Sequence, residues 1–214
     1  MRRGLERLRT YWDGRARSSL DDLEKLEWSH RRTQRLRFEA FLLHHDLRGS
    51  SVLDVGCGLA DFYEHLRQRG TPVDYTGYDL SPEMIRRCRA RYPGLRFQAG
   101  DFLTFDPDER FDFTVAFGIH NIRVPEGRAI LERVTRRQFE LCAVAAHVSV
   151  LSDRESYAPH IQAWPAQEIL SMALAITPYA VLRHDYLQGD IGVTLYREPL
   201  TARDRDVLLA YDHE

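Results

Sequence analysis

Four groups of residues in this 214-residue chain have the types and spacing to do chemistry. Asp54-Val-Gly-Cys-Gly58 sets an acid two residues before a glycine pair, behind the short apolar run Val52 to Val55. A strand that passes through glycines into a helix brings backbone close to a ligand and leaves amides free at the helix start. Asp79 closes the next apolar run, at the place from which a carboxylate holds a ribose diol. Asp101-Phe102 puts a carboxylate beside an aromatic ring, suited to an adenine amine and its ring face. Phe117-Gly-Ile-His-Asn121 brings apolar surface and two polar side chains to one rim. A glycine turn alone is a weak signal, since such turns also serve as plain structure. The other three groups are what make it informative.

Proton chemistry falls to the histidines, the commonest general bases. His120 stands just past the fourth apolar run and His147 near the end of the fifth, so either could serve an oxygen nucleophile. Asn121 and His160 could orient a substrate. Each also has a plain reading as a hydrogen-bonded rim residue, and His184, inside a strand, reads as structural. Cys57, Cys88 and Cys142 are odd in number, and their spacing suits neither a zinc site nor a disulfide framework. No metal site is expected.

The elements that must position these groups alternate. Strands are expected at Val52 to Val55, Asp74 to Leu80, Leu95 to Ala99, Phe111 to Phe117 and Leu141 to about Val150. Helices are expected at Ala60 to Arg69, from Ser81-Pro82 with proline in the first turn, over Glu126 to Phe139, and from Pro165 to Pro178. Tyr179 to Leu187 and Ile191 to Arg197 read as two strands joined by Gln188-Gly189-Asp190, a turn short enough to require antiparallel neighbours. The expected fold is α/β, a Rossmann-like seven-stranded, mostly parallel sheet with an antiparallel last strand, helices on both faces and an N-terminal helical cover. In that cover, residues 1 to 17 read as a loose tail or an arm over a ligand. Ser19 caps a short helix, and Ser29 caps another to about Leu47 whose packing face is Leu36, Ala40, Leu43 and Leu47. The division is 1–47 for arm and cover, 48–199 for the core and 200–214 for a tail of a turn or two, or none.

With these motifs in place, the chain resembles the class I S-adenosylmethionine-dependent methyltransferases. The likeness lies in Asp54-Val-Gly-Cys-Gly58, Tyr78-Asp-Leu-Ser-Pro-Glu-Met84 and Gly100-Asp-Phe102, and it covers roughly residues 50 to 197 with the closing antiparallel strand. It implies S-adenosyl-L-methionine as cofactor and S-adenosyl-L-homocysteine as product. Gly56 and Gly58 would lie along the methionine part, Asp54 would hold the turn and the amine, and Asp79 would bind both ribose hydroxyls. Asp101 and Phe102 would meet adenine, with Leu80 and Met84 on the same side, while Gly118 and Ile119 would border the sulfonium. The family's frequent third glycine is Ala60 here, small enough for the helix to approach. Tyr11-Trp-Asp-Gly-Arg15, Glu27-Trp-Ser29 to Arg37-Phe38 and Leu182-Arg-His-Asp-Tyr186 are similar to a narrower group of small bacterial methyltransferases. That likeness implies Tyr11 or Arg37 on the cofactor's carboxylate; equally, Trp28 reads as packing and Arg37 as a solvated cation.

What is missing narrows the acceptor. The fourth motif lacks the Asp/Asn-Pro-Pro-Tyr/Phe sequence that marks methylation of planar amine nitrogens, and no acidic cluster resembles the metal site of catechol-type enzymes. A small molecule is the expected acceptor, with oxygen favoured over nitrogen on the strength of the histidines. Eleven basic against six acidic residues over positions 1–37 read more readily as a solvated helix face than as an RNA-binding patch, so an RNA acceptor is an alternative, and a non-catalytic cofactor-binding subunit is another. The net charge of -2 gives no global pull toward nucleic acid. No apolar run nears the roughly 20 residues a membrane helix needs, so a cytoplasmic location is expected. No feature of the sequence specifies an oligomeric state.

Overall fold

The computed structural model describes residues 2–28, 30–108 and 110–200. Seven strands form one sheet in the order β3-β2-β1-β4-β5-β7-β6. They are β1 (Ser51–Val55), β2 (Asp74–Asp79), β3 (Arg96–Ala99), β4 (Phe111–Phe117), β5 (Cys142–Leu151), β6 (Ala180–Arg183) and β7 (Asp190–Tyr196). β7 runs antiparallel to both β5 and β6, and the remaining pairs are parallel. β1 sits between β2 and β4, with Asp54 registered against Gly77 and Val115. The strand order therefore reverses on either side of β1, and a crevice opens at the carboxyl ends there. Asp54, Asp79 and Phe117 all lie at or next to those ends.

Helices α4 (Asp61–Gln68), α5 (Pro82–Arg91), α6 (Gly127–Leu141) and α7 (Ala166–Leu174) flank the sheet. α5 begins as its sequence dictates: Ser81 caps the amide of Met84, and Pro82 occupies the first turn. Core packing lies on both faces. Leu53, Val55, Ala116, Ile130 and Val134 cluster on one; Phe38, Phe41, Phe62, Phe113 and Phe117 cluster on the other.

The N-terminal region departs most from expectation. Residues 2–17 are not a loose tail but a helix, α1 (Arg2–Arg17), seated on the core. Gly4 permits that seating, because a Cβ there would lie 2.5 Å from the Pro125 carbonyl oxygen. α2 (Asp22–Lys25) is capped by Asp21, not Ser19, since Asp21 and Glu24 exchange hydrogen bonds in a capping box. α3 spans Arg31–Leu42, shorter than expected, behind a His30 cap whose side chain makes no capping bond. Ser29 lies outside the described residues, as do positions 201–214 of the expected tail.

The buried face of α3 is Gln34, Arg37, Phe38 and Phe41, whereas Leu43 is 69% exposed. The aromatic rings decide this face. Phe38 and Phe41 bury more surface than the leucines would, and they pack tilted or edge-on among Phe62, Phe113 and Phe117. Leu47 is buried, but beyond the helix end. β6 is also shorter than expected. After Arg183 the chain turns: Asp185 pairs with Arg183 at 2.7 Å and the Tyr186 hydroxyl reaches Asp190, so strand pairing stops.

Candidate active site

The glycine turn after β1 is built by left-handed backbone. Gly56 and Gly58 have φ of 71° and 55°, and Ala60, the N-cap of α4, also adopts 62°. Alanine takes that conformation at a cost of roughly 1–2 kcal/mol, so Ala60 replaces the family's glycine in shape at an energetic cost. Neither glycine has room for a side chain. A Cβ on Gly56 would lie 2.2 Å from Ile119 Cγ2, and one on Gly58 would lie 2.7 Å from Leu26 Cδ2.

Asp79 holds this turn while facing the crevice. One carboxylate oxygen accepts the Gly58 amide at 2.9 Å, and the other accepts the Ser81 amide at 2.8 Å. Burial raises its pKa to about 6 despite those bonds. Asp54 lies behind the turn, where it accepts the Tyr75 hydroxyl at 2.6 Å. Burial lifts it to about 7, with the Tyr75 bond opposing. Asp101 caps a single 3-10 turn, Phe102–Thr104, and that turn leaves Phe102 packed near Tyr78.

These residues line one cavity of about 560 Å³, within the range of small-ligand sites. Asp54, Gly56, Gly58, Asp79, Leu80, Met84, Asp101, Phe102, Gly118 and Ile119 all border it. Leu5, Leu8 and Trp12 of α1 close it from above, and Asp13 anchors that helix by accepting the Ser81 hydroxyl. His120, Asn121, Tyr157, His160 and Arg37 border the other end of the same cavity.

Two candidates lie elsewhere. Tyr11 is not on the cavity wall; its hydroxyl donates to Glu27, which also pairs with Arg15 at 2.7 Å, and burial foremost raises its phenol to about 12. His147 is a core residue. Its side chain points under α3 between Phe41 and Phe117, and its Nδ1 meets the Thr194 hydroxyl at 2.9 Å. Burial drops its pKa to about 3. His120 does reach the cavity, with Nε2 buried and unpartnered, but burial also brings it to about 3. It is a neutral imidazole across the working pH range and a weak base.

Arg37 is not a solvated cation. Its side chain is 8% exposed, its Nε pairs with Asp190, and its guanidinium lies 4.4 Å over the Trp28 ring. Asp190 and Tyr186, which complete this arrangement, are the functional residues that sequence reasoning missed. Asp190 falls in an apparent turn, where acids are routine, and 153 residues separate it from Arg37.

A sequence family described as a methyltransferase domain matches residues 52–138, the span from β1 into α6 that carries the glycine turn, Asp79 and Asp101. The fold agrees: magnesium protoporphyrin IX methyltransferase from Synechocystis PCC 6803, solved with bound SAM, superposes with a TM-score of 0.65. That match is at 14% identity, over 91% of this chain and 97% of that one. Residues 52–138 are thus similar to a methyltransferase domain, carried on a fold that a known methyltransferase shares.

Among curated relatives, a Mycobacterium tuberculosis protein with a provisional methyltransferase name is 40% identical over 74 residues, 35% of this chain and 44% of its own length. The fatty-acid O-methyltransferase of Mycolicibacterium smegmatis is 42% identical over 71 residues, 31% of this chain and 26% of its own. The matches thus span less than half the length of these relatives. The residues present fit S-adenosylmethionine as a cofactor. A turn with no space for a Cβ leaves its backbone open to a ligand. The buried Asp79 carboxylate keeps lone pairs for a diol after accepting two amides. Among the described residues, no group of His, Cys, Asp or Glu side chains could hold a metal ion, and no helix is long and apolar enough to cross a membrane.

Proposed function

We propose that this chain transfers the methyl group of S-adenosylmethionine to a small-molecule acceptor, with oxygen favoured over nitrogen as the accepting atom. The observation that carries the reading is one cavity with two unlike ends. The glycine turn, Asp79, Asp101 and Phe102 form the first end, and His120, Asn121, Tyr157 and His160 form the second. Gly118 and Ile119 lie between them in sequence, at the end of β4.

When bound, the cofactor supplies an electrophilic methyl on a sulfonium. Methyl transfer is an in-line displacement, so the protein's work is to align the nucleophile and exclude water. Asp79 would hold the diol, Gly56 and Gly58 would let the backbone approach, and α1 with Leu5, Leu8 and Trp12 would close the site. His120 presents a neutral ring nitrogen as a hydrogen-bonding group to the acceptor, which favours an acceptor that needs no strong base. The fatty-acid O-methyltransferase among the relatives supports an oxygen acceptor. Three buried free cysteines suit a reducing, cytoplasmic setting. Incubating the purified protein with S-adenosylmethionine and a panel of acids, alcohols and amines, with S-adenosylhomocysteine as readout, tests the proposal. Turnover on an acid or alcohol is the expected result, and turnover confined to RNA at low salt refutes it.

A further inference from the structure

Resting on the methyl-transfer reading above, we infer that the acceptor carries a carboxylate, received by the Arg37 guanidinium and the Asn121 amide. A guanidinium offers five N–H donors in a rigid fork. Arg37 spends only Nε, on Asp190; among the described residues, neither terminal nitrogen has a hydrogen-bond partner, although the side chain is buried and lines the cavity. Neither terminal nitrogen is among the buried atoms that lack a partner, so both open onto the cavity, where a ligand can take their donors from water.

The fork is held in place from two other sides. Asp190 accepts the Arg37 Nε on one oxygen and the Tyr186 hydroxyl on the other, so it orients the fork without bonding the terminal nitrogens. The Trp28 ring supports the guanidinium face. The edge of the same ring reaches Gly118, where a Cβ would lie 3.6 Å from Trp28 Cη2 and 3.0 Å from Asn121 Nδ2. Asn121 is fixed by its own oxygen, which accepts the Leu151 amide at 3.1 Å, and its NH2 group has no acceptor among the described residues. Trp28 therefore links the two sets of unspent donors: its face carries the Arg37 guanidinium, and its edge lies near Gly118 beside the Asn121 amide.

The charge balance selects the anion. Asp190 neutralises Arg37, so the pair suits a planar monoanion in bidentate contact better than a dianionic phosphate. Glu155, on the exposed loop beside Gly189, is the acid on that rim without an ion pair among the described residues, and solvent screens it. The rival occupant of the fork is the cofactor's own carboxylate.

Binding separates the two. Protein saturated with S-adenosylhomocysteine is titrated with the matched pairs octanoate and octanamide, and phenylacetate and phenylacetamide, by calorimetry and ligand-observed NMR. At least one acid should bind about tenfold or more tightly than its amide, and the preference should vanish in Arg37→Met with S-adenosylhomocysteine affinity within about threefold of wild type. Asn121→Asp keeps the oxygen that accepts Leu151 and places an anion on the donor wall, so it too should lose the preference; it carries the test if Arg37→Met does not fold. No acid preference in wild type, or a preference that survives either variant, overturns the inference. So does a loss of S-adenosylhomocysteine affinity in Arg37→Met that 5′-methylthioadenosine, which lacks the amino-acid carboxylate, does not share. None of these titrations requires turnover, so their failure is distinct from a failure of methyl transfer.

Discussion

Replacing Gly56 with alanine tests whether the glycine turn is as tightly packed as it looks. The new methyl group would sit 2.2 Å from Ile119 Cγ2 and 3.2 Å from its Cβ. Carbon atoms rest near 3.5 Å apart, so one side must move by roughly 1.3 Å. The branched Cβ of isoleucine leaves little rotamer freedom to absorb that move. Overpacking of this kind costs about 1–3 kcal/mol, and the φ of 71° adds roughly 1–2 kcal/mol for a non-glycine residue. A stiffer unfolded chain offsets less than about 1 kcal/mol. The net loss is about 1–5 kcal/mol, which for a domain of this size lowers Tm by roughly 2–20 °C. Thermal unfolding of Gly56→Ala is measured beside Gly94→Ala, a glycine whose added methyl would have nothing within 4 Å and whose φ is not positive. Gly94→Ala should melt within about 2 °C of wild type. A Gly56→Ala protein that also melts within about 2 °C of wild type would show that the turn is loosely packed.

Asp79 must be ionised to accept a diol with both oxygens, and burial places its pKa at about 6. S-adenosylhomocysteine affinity should therefore hold above pH 7 and fall about tenfold per pH unit below 6; a flat profile from pH 5 to 8 contradicts this, and calorimetry at several pH values decides it. His120, neutral because burial lowers it to about 3, should leave no inflection between pH 6 and 8 in kcat/KM. His120→Ala should reduce kcat/KM by a similar factor, about tenfold, at every pH in that range, whereas a wild-type inflection lost in the variant would make it a base. Removing residues 1–17 uncovers the cavity wall formed by Leu5, Leu8 and Trp12, so stopped-flow dissociation of S-adenosylhomocysteine should quicken by at least about tenfold. An unchanged rate would show that α1 does not close the site.

The cofactor end was legible in the sequence because each of its motifs is local. An acid, a glycine turn and a helix start follow one another within ten residues, and a strand end needs only an apolar run to mark it. The acceptor end is assembled across the chain. Arg37 meets Asp190 over 153 residues, and Trp28 meets Gly118 through the packing of the N-terminal helices. Strand alternation assigns His147 to one face of β5 but does not say that α3 covers that face with Phe41 and turns the histidine into core. The same limit hid the aromatic face of α3: leucines at helical spacing predicted one face, and the larger rings of Phe38 and Phe41 took another. The length of α1 went unread although Leu5, Leu8, Trp12 and Ala16 recur at helical spacing, because five arginines among its first fifteen residues mask that stripe, and Gly4 shows its purpose only against Pro125.

Everything above depends on the cavity behind Gly56, Gly58 and Asp79 being an S-adenosylmethionine site. A calorimetric titration of the purified chain with S-adenosylhomocysteine at pH 7.5 decides that point. One equivalent should bind per chain, displaced by S-adenosylmethionine and untouched by NADH. No heat with S-adenosylhomocysteine, or saturable binding of NADH in its place, would contradict it.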